Sequence, residues 1–292
     1  MYKRQLEDHG CDSFAVFSFL EALELRDNGI KSDILIFSKT HQHYLEPAFK
    51  NNLTLNVSSL DDIDIFESHK LSNEKIPNFH LKFDTGMTRL GINISDASNV
   101  FERVKRNLGT ECKGIYSHYA TADEGDLSFA NHQFSLFNDV IETAIEKEIK
   151  FETIHFSNSG ASINLDQSKF DQVRVGMLLY GAYPSSEVPK DLPVEPVMEF
   201  CAPLVEVRKV KKNTPVSYGG VYKTPDDCTI GVVQCGFADG IPREWYKEGF
   251  VSMNGTYFKI AGRICMDQFM VNFENFTPSI GEEILIFGKN KA

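Results

Sequence analysis

The chain has no long apolar run, no cluster of Lys and Arg and no closely paired cysteines, and each absence narrows what it does. No apolar stretch approaches the ~20 residues a membrane span needs. The opening Met1-Tyr-Lys-Arg-Gln-Leu-Glu-Asp8 lacks the apolar core of a secretory signal. Lys and Arg total 30 against 41 Asp and Glu, for a formal charge of −11. An acidic chain without a basic patch is not built for nucleic acid or an anionic membrane. Six cysteines (Cys11, Cys112, Cys201, Cys228, Cys235, Cys265) occur without a CxxC spacing and read as reduced thiols of a cytoplasmic protein. His41-Gln-His43 has the look of a metal pair, but no carboxylate or thiol lies close by in sequence, so no metal site is expected. There is no internal repeat and no low-complexity segment.

What is there is a globular chain of 292 residues, 42% hydrophobic, with room for about two domains. Short apolar strands are expected over 13–17, 34–37, 53–57, 79–83, 113–117, 151–156 and 173–177. Amphipathic helices are expected over 19–27, 97–108 and 129–147. Strand followed by helix, repeated, implies parallel strands with right-handed crossovers. Seven strands are one short of a (β/α)8 barrel. The chain also opens on what reads as the tail of a helix, over 5–9, so the first strand is expected to be missing. Pro184, Pro189, Pro193 and Pro196 mark a linker. Beyond it strands are expected over 198–210, 229–235, 250–253, 256–260, 264–273 and 283–287, with Asn254-Gly255 as a hairpin turn. The expected architecture is a TIM-type barrel over 1–190 followed by an all-β domain over 191–292.

Barrels of this kind carry their chemistry at the C-terminal ends of the strands. Polar groups fall there four times in succession. Lys82 and Asp84 close one strand, in His80-Leu-Lys-Phe-Asp-Thr-Gly-Met-Thr-Arg-Leu-Gly91. His118 follows the next, Asn158-Ser159-Gly160 the next, and Arg174 and Gly176 lie on the last. A lysine at a strand end is by itself an ordinary surface feature, and Ser-Gly alone is an ordinary turn. Ser159-Gly160 and Gly176-Met177 on the two final strands together offer a hydroxyl and free N–H groups, which suit a phosphate.

The motifs in order resemble the alanine racemases, pyridoxal-phosphate enzymes of fold-type III. The matching pieces are Ala22-Leu-Glu-Leu-Arg26, Lys82-Phe-Asp-Thr-Gly-Met-Thr-Arg-Leu-Gly91, Ser117-His-Tyr-Ala-Thr-Ala-Asp-Glu124, His155-Phe-Ser-Asn-Ser159 and Val173-Arg-Val-Gly176. Val216-Ser-Tyr-Gly-Gly220, Gly236-Phe-Ala-Asp-Gly240 and Gly262-Arg-Ile-Cys-Met-Asp-Gln268 complete the series. The resemblance implies that Tyr218 moves the α-proton on one face of the substrate, while a lysine on the first barrel strand serves the other face and carries the cofactor. It implies that Arg174 faces the pyridine nitrogen with His155 behind it, that His118 packs on the ring, and that Asn158, Ser159, Gly176 and Met177 form the cofactor and phosphate cradle. Arg89 and Met266 are implied to bind the substrate carboxylate, and Lys82 to be carbamylated. The implied substrate is alanine, supplying D-alanine for peptidoglycan, and the implied assembly is a homodimer with shared sites.

Three departures accompany the resemblance. The family's Lys-Ala-Asn-Ala-Tyr-Gly stretch has no counterpart here, so a fragment without the cofactor lysine, and without activity as written, is expected. The stretch bearing a further phosphate-binding tyrosine is also absent. Phe237 stands where many members have a tyrosine at the substrate access. A serine or broad-specificity racemase is the alternative within the class, which a substrate panel separates. A non-catalytic pyridoxal-phosphate-binding relative is the alternative outside it, disfavoured because such a protein has no use for Tyr218.

Overall fold

The structure, a computed structural model, describes residues 2–73 and 75–288. Two compact units result, one running to Leu179 and including Tyr183–Pro193, the other made of Tyr180–Ala182 and the chain from Val194 onward. No described helix is long and apolar enough to cross a membrane.

The first unit is α/β and of the TIM-barrel type. Helix α1 (Tyr2–Asp8) precedes β1 (Ser13–Val16), α2 (Phe19–Asp27), β2 (Asp33–Ile36), α3 (Leu45–Lys50), β3 (Leu55–Val57), α4 (Leu60–Asn73) and β4 (Phe79–Asp84). Then come β5 (Ile92–Asn93), α5 (Ala97–Arg103), β6 (Cys112–Tyr116), α6 (Ser128–Glu146), β7 (Thr153–His155) and α7 (Ala161–Asn164). Pairing is parallel from β1 to β2 and from β3 through β4 and β6 to β7. A parallel bridge between Leu35 and Thr54 joins the two groups. Local chemistry explains the boundaries. Ser18 and Glu21 form a reciprocal capping box, which starts α2 at Phe19. β3 and most of β2, β4 and β6 are buried on both faces, as parallel barrel strands are: on β4, Phe79, Leu81 and Phe83 pack on one side, while Lys82 points the other way and is also buried.

The expected strand over 173–177 is not formed. A single bridge, His155 to Gln172, is all that continues the sheet past β7 among the described residues. Val173 and Val175 remain 44% and 40% exposed, so their apolar alternation does not serve a core here. Helix α3 is the helix onto which the stretch from His41 opens, as its sequence suggests; α4 was not named from the sequence, since its apolar residues are too few for a clear period and it buries mainly Ile63 and Phe66.

The second unit is a closed six-stranded antiparallel barrel. Its strands are β8 (Phe200–Val210), β11 (Cys228–Val233), β12 (Phe250–Met253), β13 (Thr256–Ile260), β14 (Phe269–Asn272) and β15 (Glu283–Phe287), with β9 (Pro215–Val216) and β10 (Tyr222–Lys223) as a small side ribbon. Asn254 (φ 49°) and Gly255 (φ 79°) both take the left-handed conformation of a tight hairpin turn. The strand expected over 264–273 begins only at Phe269, because the chain turns at Gly262 (φ 81°) and Cys265 N–H donates to the Gln268 carbonyl at 2.9 Å.

Candidate active site

At the end of β4 the chain reverses tightly. Asp84 Oδ1 accepts from Gly86 N–H at 2.9 Å and Thr88 N–H at 3.1 Å. Gly91 has φ 148°, and a Cβ there would lie 2.4 Å from the Asp84 nitrogen. Asp84 therefore serves the turn, and among the described residues it forms no ion pair with Lys82 or Arg89. Lys82 is left buried at 6% exposure, with its Nζ 5.6 Å from the centre of the Tyr116 ring. Burial first, then Arg89 and Arg174, pull its ammonium down to about 8, with Asp84 opposing them.

Parallel register puts Lys82, Tyr116 and His155 side by side on β4, β6 and β7. Tyr116 stacks on His155 with ring centres 4.7 Å apart, and its hydroxyl donates to Asn56 Oδ1 at 2.9 Å. The Arg174 guanidinium carbon lies 5.3 Å from the Tyr116 ring centre. Arg174 donates from Nη1 to His155 Nδ1 at 2.9 Å, and from Nη2 to His118 Nδ1 at 3.1 Å and to the carbonyls of Ser117 (2.7 Å) and Phe156 (2.9 Å). A guanidinium has no acceptor, so both imidazoles must accept on Nδ1 and carry their proton on Nε2. Electrostatics agree. Burial first and then Arg174 hold His118 down to about 3 and His155 well below its ordinary value. Burial also lowers Arg174 to about 10.

The third cluster lies on the loops after β7. Ser159 is buried, and its Oγ accepts from Gly176 N–H at 3.0 Å. A Cβ on Gly176 would meet nothing within 4 Å, so this backbone faces open space. The N–H of Met177 has no acceptor among the described residues. Asn158 accepts from Ala161 N–H at 3.0 Å and donates to the carbonyl of Tyr119, on the loop after β6, at 3.2 Å. Sequence reasoning missed Gln133 of α6, which is fully buried, accepts from Ala120 N–H at 2.9 Å and donates to the His118 carbonyl at 3.2 Å. It fastens the His118 loop, and a polar residue on the apolar face of a strongly amphipathic helix was the available signal. Tyr116 was missed as well, although it lies two residues before His118.

In the second unit three separate motifs converge. Ser217 (φ 62°), Gly219 (φ 73°) and Gly220 (φ 54°) make a tight left-handed turn that presents Tyr218, 63% exposed. The Ser217 hydroxyl donates to the Arg263 carbonyl, and a Cβ on Gly262 would lie 2.6 Å from the Val216 carbonyl oxygen. The Phe237 and Ala238 N–H groups donate to the carbonyls of Cys265 and Met266, each at 3.0 Å. Tyr218, Phe237 and Met266 thus share one surface, and Phe237 lies under the Arg243 guanidinium at 5.5 Å. A Cβ on Gly236 would sit 2.1 Å from the Met266 carbonyl oxygen and 2.5 Å from that of Cys265. Gly236→Ala is expected to destabilise the protein by about 3 kcal/mol, because backbone rather than a flexible side chain must yield. Urea unfolding at unchanged m-value measures it.

Comparison with known proteins gives a consistent result. Residues 2–184 match the family model described as alanine racemase, N-terminal domain, and residues 197–292 match the alanine racemase C-terminal domain. The chain is 34% identical over 291 residues to alanine racemase 2 of Caldanaerobacter subterraneus subsp. tengcongensis, covering 99% of this chain and 75% of that protein. It is similar to the crystal structure of alanine racemase from D-cycloserine-producing Streptomyces lavendulae, with TM-score 0.89, 30% identity, and 98% of this chain and 76% of that one covered. It is also similar to the alanine racemase of Bartonella henselae with covalently bound pyridoxal phosphate, with TM-score 0.86, 25% identity, and coverage of 98% and 78%.

Proposed function

This chain belongs to the alanine racemase family, and on that premise we propose that its residues serve the interconversion of L- and D-alanine with pyridoxal phosphate, the lysine that would carry the cofactor having no counterpart among the motifs this sequence matches. The observation that carries the reading is Arg174, whose guanidinium is held from behind by two imidazoles and two carbonyls.

The residues present fit the cofactor. Ser159, the Gly176 backbone and the Met177 N–H, which has no acceptor among the described residues, suit a phosphate that approaches over open space, with Asn158 bracing their loop. Arg174 suits a pyridine nitrogen that stays unprotonated, because a guanidinium donates and does not give up a proton there. Bound pyridoxal phosphate would supply a conjugated ring that draws in the electron pair left at the α-carbon. With an unprotonated nitrogen that draw is moderate, which favours return of a proton to the α-carbon over side reactions. His155 keeps the guanidinium in plane, and His118, neutral on the same guanidinium, is placed to pack against the ring. Arg89 supplies a cation for the substrate carboxylate, and the Met266 N–H supplies a second contact. Tyr218 takes and returns the α-proton on one face. Lys82, as a carbamate, would pair with Arg89.

Residues 1–190 act as the cofactor domain and 191–292 as the β domain that contributes Tyr218. The six cysteines are free thiols, which suits a cytoplasmic enzyme. Racemisation of alanine by the full-length protein, compared with serine and a panel of larger amino acids, tests the reading. Turnover of serine above alanine would favour the broader racemase, with the apolar Phe237 as its structural correlate. Absence of turnover with intact cofactor binding would leave a binding protein.

We assign Tyr218 and Met266 to the neighbouring chain's barrel in a symmetric homodimer. Mixing a Tyr218→Ala chain with an Arg174→Ala chain is then expected to restore one competent site per mixed dimer, near a quarter to a half of the wild-type rate per dimer. Confirmed mixed dimers without regained activity would show that each chain builds its site alone.

A further inference from the structure

Register arranges the inward side chains of β4, β6 and β7 in rows. Lys82, Tyr116 and His155 form one row, and His80, Gly114 and Thr153 form the row before it. His80 and His155 lie on strands separated by β6, roughly 10 Å apart at the ordinary spacing of two strand steps. Their imidazoles nevertheless meet, with His80 Nδ1 2.9 Å from His155 Nε2 and ring centres 5.1 Å apart. The contact passes over Gly114. A Cβ on Gly114 would lie 2.6 Å from His80 Cε1 and 2.7 Å from each ring nitrogen. Gly114 is not among the glycines with positive φ, so the position needs its small size rather than its backbone freedom.

The direction of the bond follows from Arg174. Its Nη1 can only donate, so His155 Nδ1 accepts and the neutral ring carries its proton on Nε2. That proton points to His80, whose Nδ1 must accept it. Neutral rings fit the surroundings: packing and the Arg174 charge hold His80 down to about 4 and His155 well below its ordinary value.

We propose that His80 is a positioning residue for the racemase site: it accepts the His155 Nε2–H across β6 through the gap left by Gly114, and so fixes the guanidinium plane that Arg174 presents to the cofactor. Only the last step rests on the proposed function; the hydrogen-bond chain stands by itself.

Ring-15N histidine labelling tests the chain. The expected result is a His155 protonated on Nε2 with a through-hydrogen-bond 15N–15N coupling to His80 Nδ1. Gly114→Ala should abolish the coupling. His80→Phe should turn the protected His155 Nε2–H signal into a solvent-exchanging one, and His80→Asn, whose amide oxygen replaces Nδ1, should keep it protected. In the full-length enzyme His80→Phe should lower kcat about tenfold with KM little changed, and His80→Asn should recover most of it. A wild-type His155 protonated on Nδ1, a coupling that survives Gly114→Ala, or a His80→Phe enzyme with wild-type kcat overturns the proposal. If His80→Phe fails to fold, the wild-type coupling and the His80→Asn rate still decide. A wild-type protein that shows the coupling but does not racemise alanine would remove the functional reading and leave the histidine chain in place.

Discussion

Tyr218→Phe in the full-length protein is expected to slow alanine racemisation by about 10²–10⁴-fold, the range that a positioned acid–base group contributes. The structure allows this loss to be read as chemistry. Tyr218 is 63% exposed on its unit, and its hydroxyl has no partner among the described residues. Removing that one oxygen should leave stability within about 0.5 kcal/mol, as for other exposed positions. The left-handed turn of Ser217, Gly219 and Gly220, and the Ser217 bond to Arg263, do not depend on it. Cofactor binding should also persist, because Ser159, Gly176 and Arg174 lie on the other unit. The loss should be one-sided. Exchange of the α-hydrogen with solvent deuterium should continue from one enantiomer and nearly stop from the other. Equal, near-normal exchange from both enantiomers would remove Tyr218 as a base.

Much of this was readable in the chain, and the parts that were not share a physical cause. The helix from Phe19 to Asp27 was legible because its apolar residues recur at helical spacing, Phe19, Ala22 and Leu25 being those it buries, and the Asn254-Gly255 hairpin because its turn conformation selects those two residues. The segment over 173–177 was misread because alternation reports a two-sided environment, and the alternating valines there lie exposed. Site residues named by motif came together as clusters: Lys82, His155 and Arg174 around Tyr116, Ser159 with Gly176, and Tyr218 with Met266 and Phe237. Tyr116, Asn56 and Gly114 were not legible as site residues. Their roles depend on which strands are neighbours and in what register, and sequence spacing within one strand does not carry that. The pairing His80-x-Lys82 was a partial signal, since residues two apart share a strand face. It gave the face but not the partner, because His155 lies 75 positions away.

Bicarbonate is expected to stabilise this protein near pH 8, and Lys82→Met to abolish the effect. Lys82 is 6% exposed and titrates near 8, against 10.5 for an ordinary lysine. The sign follows from proton counting. Between about 8 and 10.5 the unfolded chain holds the Lys82 proton and the folded chain does not, so stability rises with pH across that window. Below about 8 both states are charged and the folded state carries the full cost, on the order of 3 kcal/mol at 1.36 kcal/mol per pKa unit. Burial disfavours the ammonium, and the charges of Arg89 and Arg174 disfavour it further. Those same two cations favour an anion at the site. A neutral amine whose lone pair attacks carbon dioxide, with loss of one proton, becomes an anionic carbamate, which exchanges repulsion for charge-assisted hydrogen bonds. The proximity of about 8 to physiological pH keeps a substantial neutral fraction available for that step. In carbon-dioxide-free buffer at pH 8 the melting temperature should fall by several degrees relative to buffer with bicarbonate, and 13C-bicarbonate should give one carbamate resonance that Lys82→Met removes. Lys82→Ala should lose racemase activity, partly restored by added acetate. A melting temperature indifferent to bicarbonate, with no carbamate resonance, would leave Lys82 as a buried amine whose cost the fold bears, and Arg89 would need another anion to hold it.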